Sequence, residues 1–331
     1  MSDRSLSVIT GANVRAALEG REDVVLDAVA KAYIALERGQ AQTPSTHPLY
    51  SHGGRFFAMP GSIDDGEAII GLKWVASVPG NLAAGAERAS ALLVVNDRVT
   101  GRPVLVVDGT LISAQRTAAS AALALRCVTA EKAPRVMALI GCGPINFEVL
   151  RFTLHVHAVE EVLLADLDHL RAEDFARRVQ EHFPSVVARP ATPGELWERA
   201  DVVSIATNAT TPHIALLPAR PVVVLHVSLR DIAPEAIAGC YNIVDVAEHA
   251  FTARTSLHLA AEQTGRRDLV NATIPSLLAG TARYEPAPVP TVVSPFGLSI
   301  LDLAVLREVL ARSHLLTNAI RVDDFGGTVL T

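Results

Sequence analysis

Gly141-Cys142-Gly143-Pro144-Ile145-Asn146 directly follows the apolar run Val136 to Ile140 and opens a segment of helical periodicity. A glycine turn in that context suits a dinucleotide. Gly141 supplies the tight turn and Gly143 lets the backbone approach a pyrophosphate. The helix start at Pro144 and Ile145 offers unpaired N–H groups and the positive end of a dipole to phosphates. Asn146 departs from the pattern, because a third glycine usually permits close helix–strand packing there. Asp166 closes the next apolar run, where a carboxylate accepts hydrogen bonds from adenosine ribose hydroxyls and repels a 2′-phosphate. The expected cofactor is therefore NAD rather than NADP. Ala206 and Thr207 end and follow the run Val202 to Ala206, at the point where the crevice of such a fold meets the nicotinamide half.

The chain has only three lysines, Lys31, Lys73 and Lys132, so most of its positive charge is carried by arginine. Lys73 stands between Leu72 and Trp74 in an apolar segment. It reads either as a strand lysine that snorkels to water or as a buried charge that neutralises a substrate or polarises a developing imine. Cys127, Cys142 and Cys240 match neither a disulfide framework nor a metal-ligand spacing, and are expected to be reduced structural thiols, with no metal site.

The elements that must position these groups follow from pattern. At 331 residues the chain exceeds what one core usually serves, and half of it is hydrophobic with 5% aromatic and 19% charged residues. An α/β protein of two domains is expected. Asn13 to Arg38 has helical spacing and ends at Gly39, which predicts one amphipathic helix or a close pair. Arg55 to Met59, Ile69 to Ser77, Ala91 to Asp97 and Pro103 to Asp108 predict a strand meander with a hairpin connection from Asn96-Asp97 to Gly101. An Ala/Leu-rich helix from Ser113 to Cys127 follows.

Strands and helices then alternate: Val136 to Ile140, a helix through Leu154, Val162 to Ala165, a helix from Arg171 to His182, then Val202 to Ala206, Val222 to Val227 and Ile243 to Val246. That alternation predicts a Rossmann-like, doubly wound parallel sheet of five strands. The Pro-rich stretch Pro286 to Pro295 breaks the pattern, and Ile300 to Ser313 resumes as a helix. A net charge of −6 gives no general basic field for nucleic acid or anionic membrane. The absence of a signal-like start or an apolar run of ~18 residues leads us to expect a cytoplasmic protein with a small-molecule ligand.

Arg55-Phe56-Phe57-Ala58-Met59-Pro60, Gly71-Leu72-Lys73-Trp74, Glu87-Arg88-Ala89-Ser90 and Ser113-Ala114-Gln115-Arg116-Thr117-Ala118-Ala119 together resemble the ornithine cyclodeaminase/mu-crystallin family, over most of the chain. The resemblance implies a discontinuous α+β substrate and dimerisation domain at 1–112 and 296–331, a Rossmann domain at 113–295, and a homodimer. It further implies that Lys73 and Arg116 engage an amino-acid carboxylate, Arg116 in bidentate fashion, and that Thr117 lies near the cofactor phosphates. Arg55 and Arg88 are candidate substrate-binding residues, with surface or interdomain ion pairs as the other reading. Asp231 resembles the family's acid that handles protons and water, although Val227-Ser228-Leu229-Arg230 replaces the Gly-rich segment often found before it; a solvent-facing Asp paired with Arg230 is the alternative. Gly297, in Ser294-Pro295-Phe296-Gly297-Leu298-Ser299-Ile300-Leu301-Asp302, resembles the glycine turn beside the nicotinamide. The segment Thr43 to Leu49 lacks the additional carboxylate-binding arginine of many members.

Within the family, the strings GLKW, ERAS, VVND, LIS and RTAAS look most like the branch that makes 2,3-diaminopropionate for siderophores and peptide antibiotics. That likeness implies oxidation of N-(2-amino-2-carboxyethyl)-L-glutamate with NAD, then hydrolysis to 2-oxoglutarate and L-2,3-diaminopropionate. Two alternatives stay open: another family chemistry (an ornithine or lysine cyclodeaminase, an amino-acid dehydrogenase or a cyclic-imine reductase), and a crystallin-like protein that binds ligand without turnover.

Overall fold

The computed structural model describes residues 5–129, 133–312 and 319–325. These divide into two compact units, Met1–Arg116 with Leu298–Thr331, and Thr117–Gly297.

The first unit opens with β1 (Leu6–Ile9), α1 (Gly11–Leu18) and α2 (Glu22–Glu37), so the early periodic segment is a helix pair. The meander follows as β2 (Ala41–Gln42), β3 (Leu49–Ser51), β4 (Gly54–Ile63), β5 (Ile69–Ser77), β6 (Ala89–Asn96) and β7 (Pro103–Asp108). Helix α3 (Thr110–Val128) begins in this unit and continues into the second. Two later elements of the chain, α11 (Ser299–Leu310) and β16 (Ile320–Val322), complete the first unit. Strand order among the described residues is β16-β1-β7-β6-β5-β4-β2, with β3 also on β4; only β1 and β7 pair in parallel.

Strand alternation gives this sheet two different faces. Met59, Ile69, Gly71, Lys73, Leu93, Val95, Leu105 and Val107 are buried on one face, against which α2 and α11 pack. Helix α11 is apolar nearly all round and buries Ile300, Leu301, Leu303, Val305 and Leu306, as a helix enclosed on several sides must. Each such side chain contributes roughly 1.5–3 kcal/mol. Gly71 permits the close approach, since a Cβ there would run into the Val94 carbonyl and come within 3.1 Å of Leu303. The opposite face carries Ile70, Trp74, Leu92 and Val104, each more than a third exposed.

The second unit alternates from β8 (Val136–Ile140) through α4 (Pro144–Val156), β9 (Glu161–Ala165), α5 (His169–His182), β10 (Val187–Pro190), α6 (Pro193–Arg199), β11 (Val202–Ile205) and β12 (Val223–His226). It continues with α7 (Pro234–Ala238), β13 (Tyr241–Val244), α8 (Ala247–Ala250), α9 (Ser256–Thr264), β14 (Ala272–Thr273), α10 (Ile274–Ala279) and β15 (Thr291–Ser294). All strand pairings are parallel, in the order β10-β9-β8-β11-β12-β15-β13-β14. This is the expected doubly wound sheet, but it has eight strands where the sequence pattern predicts five.

The missing three have physical explanations. β10 and β14 are short, partly exposed edge strands, so they lack the continuous apolar run of strands buried on both faces. β15 hides in the stretch Pro286 to Pro295 yet is fully buried between β12 and β13. Its flanking prolines stand just outside the hydrogen-bonded ladder, so they do not interrupt it. The predicted end of the last helix, Ser313, lies outside the described residues, within which α11 stops at Leu310. No helix among the described residues is long and apolar enough to cross a membrane.

Candidate active site

In the second unit the candidate cofactor residues other than Thr117, which lies on α3, gather at the C-terminal ends of parallel strands, where ligands of doubly wound sheets bind. Gly141 turns the chain out of β8 at φ 92° and donates its N–H to the Ala165 carbonyl at 2.8 Å. A Cβ there would collide with the carbonyl of Ala206, so this turn requires glycine. Gly143 caps α4 and Pro144 occupies its first turn, as suits a helix start that needs no donor there. A Cβ on Gly143 would meet open space. Packing therefore does not demand that glycine, whereas a phosphate backbone approaching the N-terminus of the 13-residue α4 would. The residues present thus fit a dinucleotide.

Asp166 follows β9 and is braced by the N–H groups of Cys142 at 2.8 Å and Asp168 at 3.0 Å. The glycine turn and the candidate ribose acid are thereby fastened together. Burial and the Asp166 charge push the Cys142 thiol up to about 12, so it stays protonated and is no nucleophile. Asn146 is fully buried; its amide donates to the carbonyls of Ile140 and Gly141 at 3.0 and 2.7 Å and accepts from Ser204 Oγ at 2.7 Å. Where a glycine would allow contact by absence, this side chain stitches α4 to β8 and β11.

Asp231 is fully buried rather than solvent-facing. Its carboxylate accepts hydrogen bonds from Thr207 Oγ1 and Ser228 Oγ and lies 3.2 Å from His226 Nε2. Burial pushes this group up, but the hydrogen bonds from His226 and the two hydroxyls outweigh it and bring Asp231 down to about 2. It stays ionised at any ordinary pH. Thr207 thus touches the acid as well as following β11. Gly297, at φ 94°, donates its N–H to Asp245 at 2.6 Å. Thr117 lies half-buried on α3, and Ile145 in the first turn of α4.

In the first unit Lys73 does not snorkel: it is 1% exposed, and its Nζ lies 2.7 Å from Asp302 Oδ2. Arg116, on α3, reaches the same carboxylate through Nε at 3.3 Å and donates through Nη2 to Ser113 Oγ at 3.2 Å. Two cations and one anion share a nearly dry site, leaving one positive charge in excess. Burial, then the Arg116 charge, push the Lys73 ammonium down to about 8, and Asp302 offsets this only in part. Arg55 and Arg88 lie at another point of the same sheet: Arg55 pairs across β4–β5 with Ser77, whose partner on β6 is Ala89. Burial, then the Arg55 charge, hold Arg88 below the usual arginine value.

Sequence reading missed Asp302 and His226. An acid within the buried apolar run Ile300 to Leu306 of α11 is a signal for the first, because a charge placed there needs a partner. His226 closes a buried strand five residues before Asp231, and nothing local distinguishes it from a core histidine.

The architecture defines a class first: a doubly wound parallel domain joined to a discontinuous α+β unit. A structure of Δ1-pyrroline-2-carboxylate reductase from Thermococcus litoralis, in complex with NADH and L-proline, matches it at TM-score 0.84 over 93% of this chain and 98% of that one, at 21% identity. A sequence model of the ornithine cyclodeaminase/mu-crystallin family matches residues 10–223, and the chain belongs to that family. Among curated relatives, alanine dehydrogenase of Archaeoglobus fulgidus is 31% identical over 57% of either chain, so the match spans little more than half of that relative. N-((2S)-2-amino-2-carboxyethyl)-L-glutamate dehydrogenase of Staphylococcus aureus is 26% identical over 76% of either chain.

Proposed function

We propose that this protein is an NAD-dependent oxidoreductase that oxidises the C–N bond of an amino-acid-derived secondary amine, and that its substrate is N-(2-amino-2-carboxyethyl)-L-glutamate. The observation that carries the reading is the excess positive charge of Lys73 and Arg116 over Asp302, which suits one substrate carboxylate. NAD supplies the hydride acceptor when bound, and Gly141, Gly143, Pro144, Ile145, Asp166, Ala206, Thr207, Thr117 and Gly297 are the residues proposed to hold it. The NADH named in the Thermococcus complex supports that cofactor.

The finer substrate rests on the Staphylococcus relative and on the two further cations, Arg55 and Arg88. Arg55 and Lys73 fall on the same face of the sheet, four positions apart in register, a backbone span of ~13 Å. An extended substrate with three carboxylates uses such a row; a monocarboxylate such as alanine does not. Asp231, ionised and fixed by hydroxyl donors, orients the water that adds to the imine carbon and stabilises the positive charge of that imine. Addition of water and C–N cleavage then give 2-oxoglutarate and L-2,3-diaminopropionate. Incubating the protein with the secondary amine and NAD should yield one NADH and one 2-oxoglutarate for each amine consumed. No NADH, or cyclisation of ornithine or lysine without net NADH, would overturn the assignment.

The exposed apolar face of Ile70, Trp74, Leu92 and Val104 supports a homodimer through the first unit. Trp74→Glu with Leu92→Glu is expected to convert a dimer to a monomer in light scattering after gel filtration. A wild-type monomer at the same concentration would refute this.

A further inference from the structure

We propose that His226 is the positioning residue that keeps Asp231 ionised and aimed, a role that rests on the reading of Asp231 as the water-orienting acid. Three adjacent parallel strands build the arrangement. Thr207 follows β11, His226 ends β12 and Ser294 ends β15, so all three side chains emerge at the C-terminal edge of the sheet. His226 is fully buried there; its Nε2 is 3.2 Å from Asp231 Oδ2 and 3.2 Å from the Asp231 backbone N, and its Nδ1 is 3.4 Å from Ser294 Oγ.

Nε2 cannot serve both Asp231 neighbours at once. With the proton on Nε2, the ring donates to the carboxylate, and Nδ1 accepts from the Ser294 hydroxyl. With the proton on Nδ1, the ring donates to Ser294 Oγ, and Nε2 accepts from the Asp231 backbone N–H but offers the carboxylate no donor. An ionised Asp231 favours the first tautomer, because an N–H given to a charged oxygen is worth more than the backbone N–H given to a neutral ring nitrogen. Burial lowers the His226 value, Asp231 raises it, and Arg230 and His213 lower it further, so the ring acts as a neutral donor. Those three are the charged or titratable groups acting on it, and its neighbour on β15, Ser294, does not titrate. Together with Thr207 and Ser228, a neutral Nε2–H completes a set of three donors to one buried carboxylate.

The test uses two variants of similar polarity. Gln extends an amide N–H to the place of Nε2, whereas Asn reaches only as far as Nδ1. His226→Asn removes the donor, so burial raises the Asp231 value and the acid limb of kcat moves to higher pH. A limb displaced by one pH unit lowers the rate at low pH roughly tenfold. His226→Gln is expected to restore most of the wild-type profile, and both variants should keep wild-type NADH affinity. An acid limb that is the same in wild type, His226→Asn and His226→Gln would overturn the proposal. In the wild-type protein, the ¹⁵N shifts of the His226 ring should report a neutral Nε2–H imidazole at neutral pH; a neutral Nδ1–H ring or an imidazolium would overturn it even if neither variant folds. The two readings fail separately. If Asp231→Asn retains wild-type kcat, the assignment of Asp231 itself is wrong; if Asp231→Asn is inactive while His226→Asn leaves the pH profile unmoved, only the role of His226 falls.

Discussion

Lys73→Met is expected to fold and bind NADH normally while kcat/KM for the carboxylate substrate falls by roughly 30- to 4,000-fold, equivalent to about 2–5 kcal/mol for losing one partner of a buried charged contact. The fold survives because Asp302 keeps a cation: Arg116 Nε is 3.3 Å away and also belongs to this unit. The loss falls on binding because removing the ammonium leaves Arg116 and Asp302 with no net charge for a carboxylate. The same site sets a pH dependence. The Lys73 ammonium is depressed to about 8, so the charge is present below that pH and is lost as pH rises through it. Affinity for 2-oxoglutarate as a product inhibitor should accordingly weaken above about pH 8. Lys73→Arg, whose guanidinium stays charged, should bind with its pH dependence displaced to higher pH. Stability moves the other way. The folded value lies below the ordinary 10.5, so the unfolded chain binds more protons between about 8 and 10.5, and this group makes the fold more stable as pH rises through that window. Undiminished activity in Lys73→Met would exclude Lys73 from substrate binding.

Asp231→Asn is expected to lower kcat by roughly 10²- to 10⁴-fold, the usual range for a positioned proton-handling group, while NADH affinity holds. The amide keeps one acceptor oxygen for Thr207 or Ser228, whose hydroxyls can rotate, so folding is preserved. What is lost, on the proposed reading of Asp231, is the negative charge that stabilises the imine. A first turnover that still forms NADH, followed by slow release of 2-oxoglutarate, would place the defect in hydrolysis. Loss of the first turnover as well would assign Asp231 to the earlier proton removal from the amine, and an unchanged kcat would remove it from the chemistry.

Asp302 shows where sequence reading stops. Its segment is legible as the start of the last helix, but its partners stand 229 and 186 residues away in the chain. Periodicity tells which face of a helix or strand is buried, and it places Lys73 on the inner face of β5 together with Met59 and Leu93. It does not say which residue of a distant helix lies opposite. His226 poses the same difficulty in reverse: it is close to Asp231 in sequence, yet its meaning depends on the hydroxyl of Ser294 at the end of a strand concealed among prolines.

The glycine turn, the acid at the end of the following strand and the alternation of strand and helix are local features. Backbone sterics at Gly141, a helix N-terminus at Pro144 and short apolar runs act over a few residues, so the amino-acid sequence by itself determined the doubly wound unit and the family to which the chain belongs. Tertiary structure decided which groups meet. It inserted β15 between β12 and β13, replaced a third glycine by the buried Asn146 stitch, and gave Lys73 and Arg116 a shared counter-ion in Asp302. It also surrounded Asp231 with hydroxyls and an imidazole. Each of those depends on strand order and on a close approach between elements distant in the chain, which local pattern does not encode.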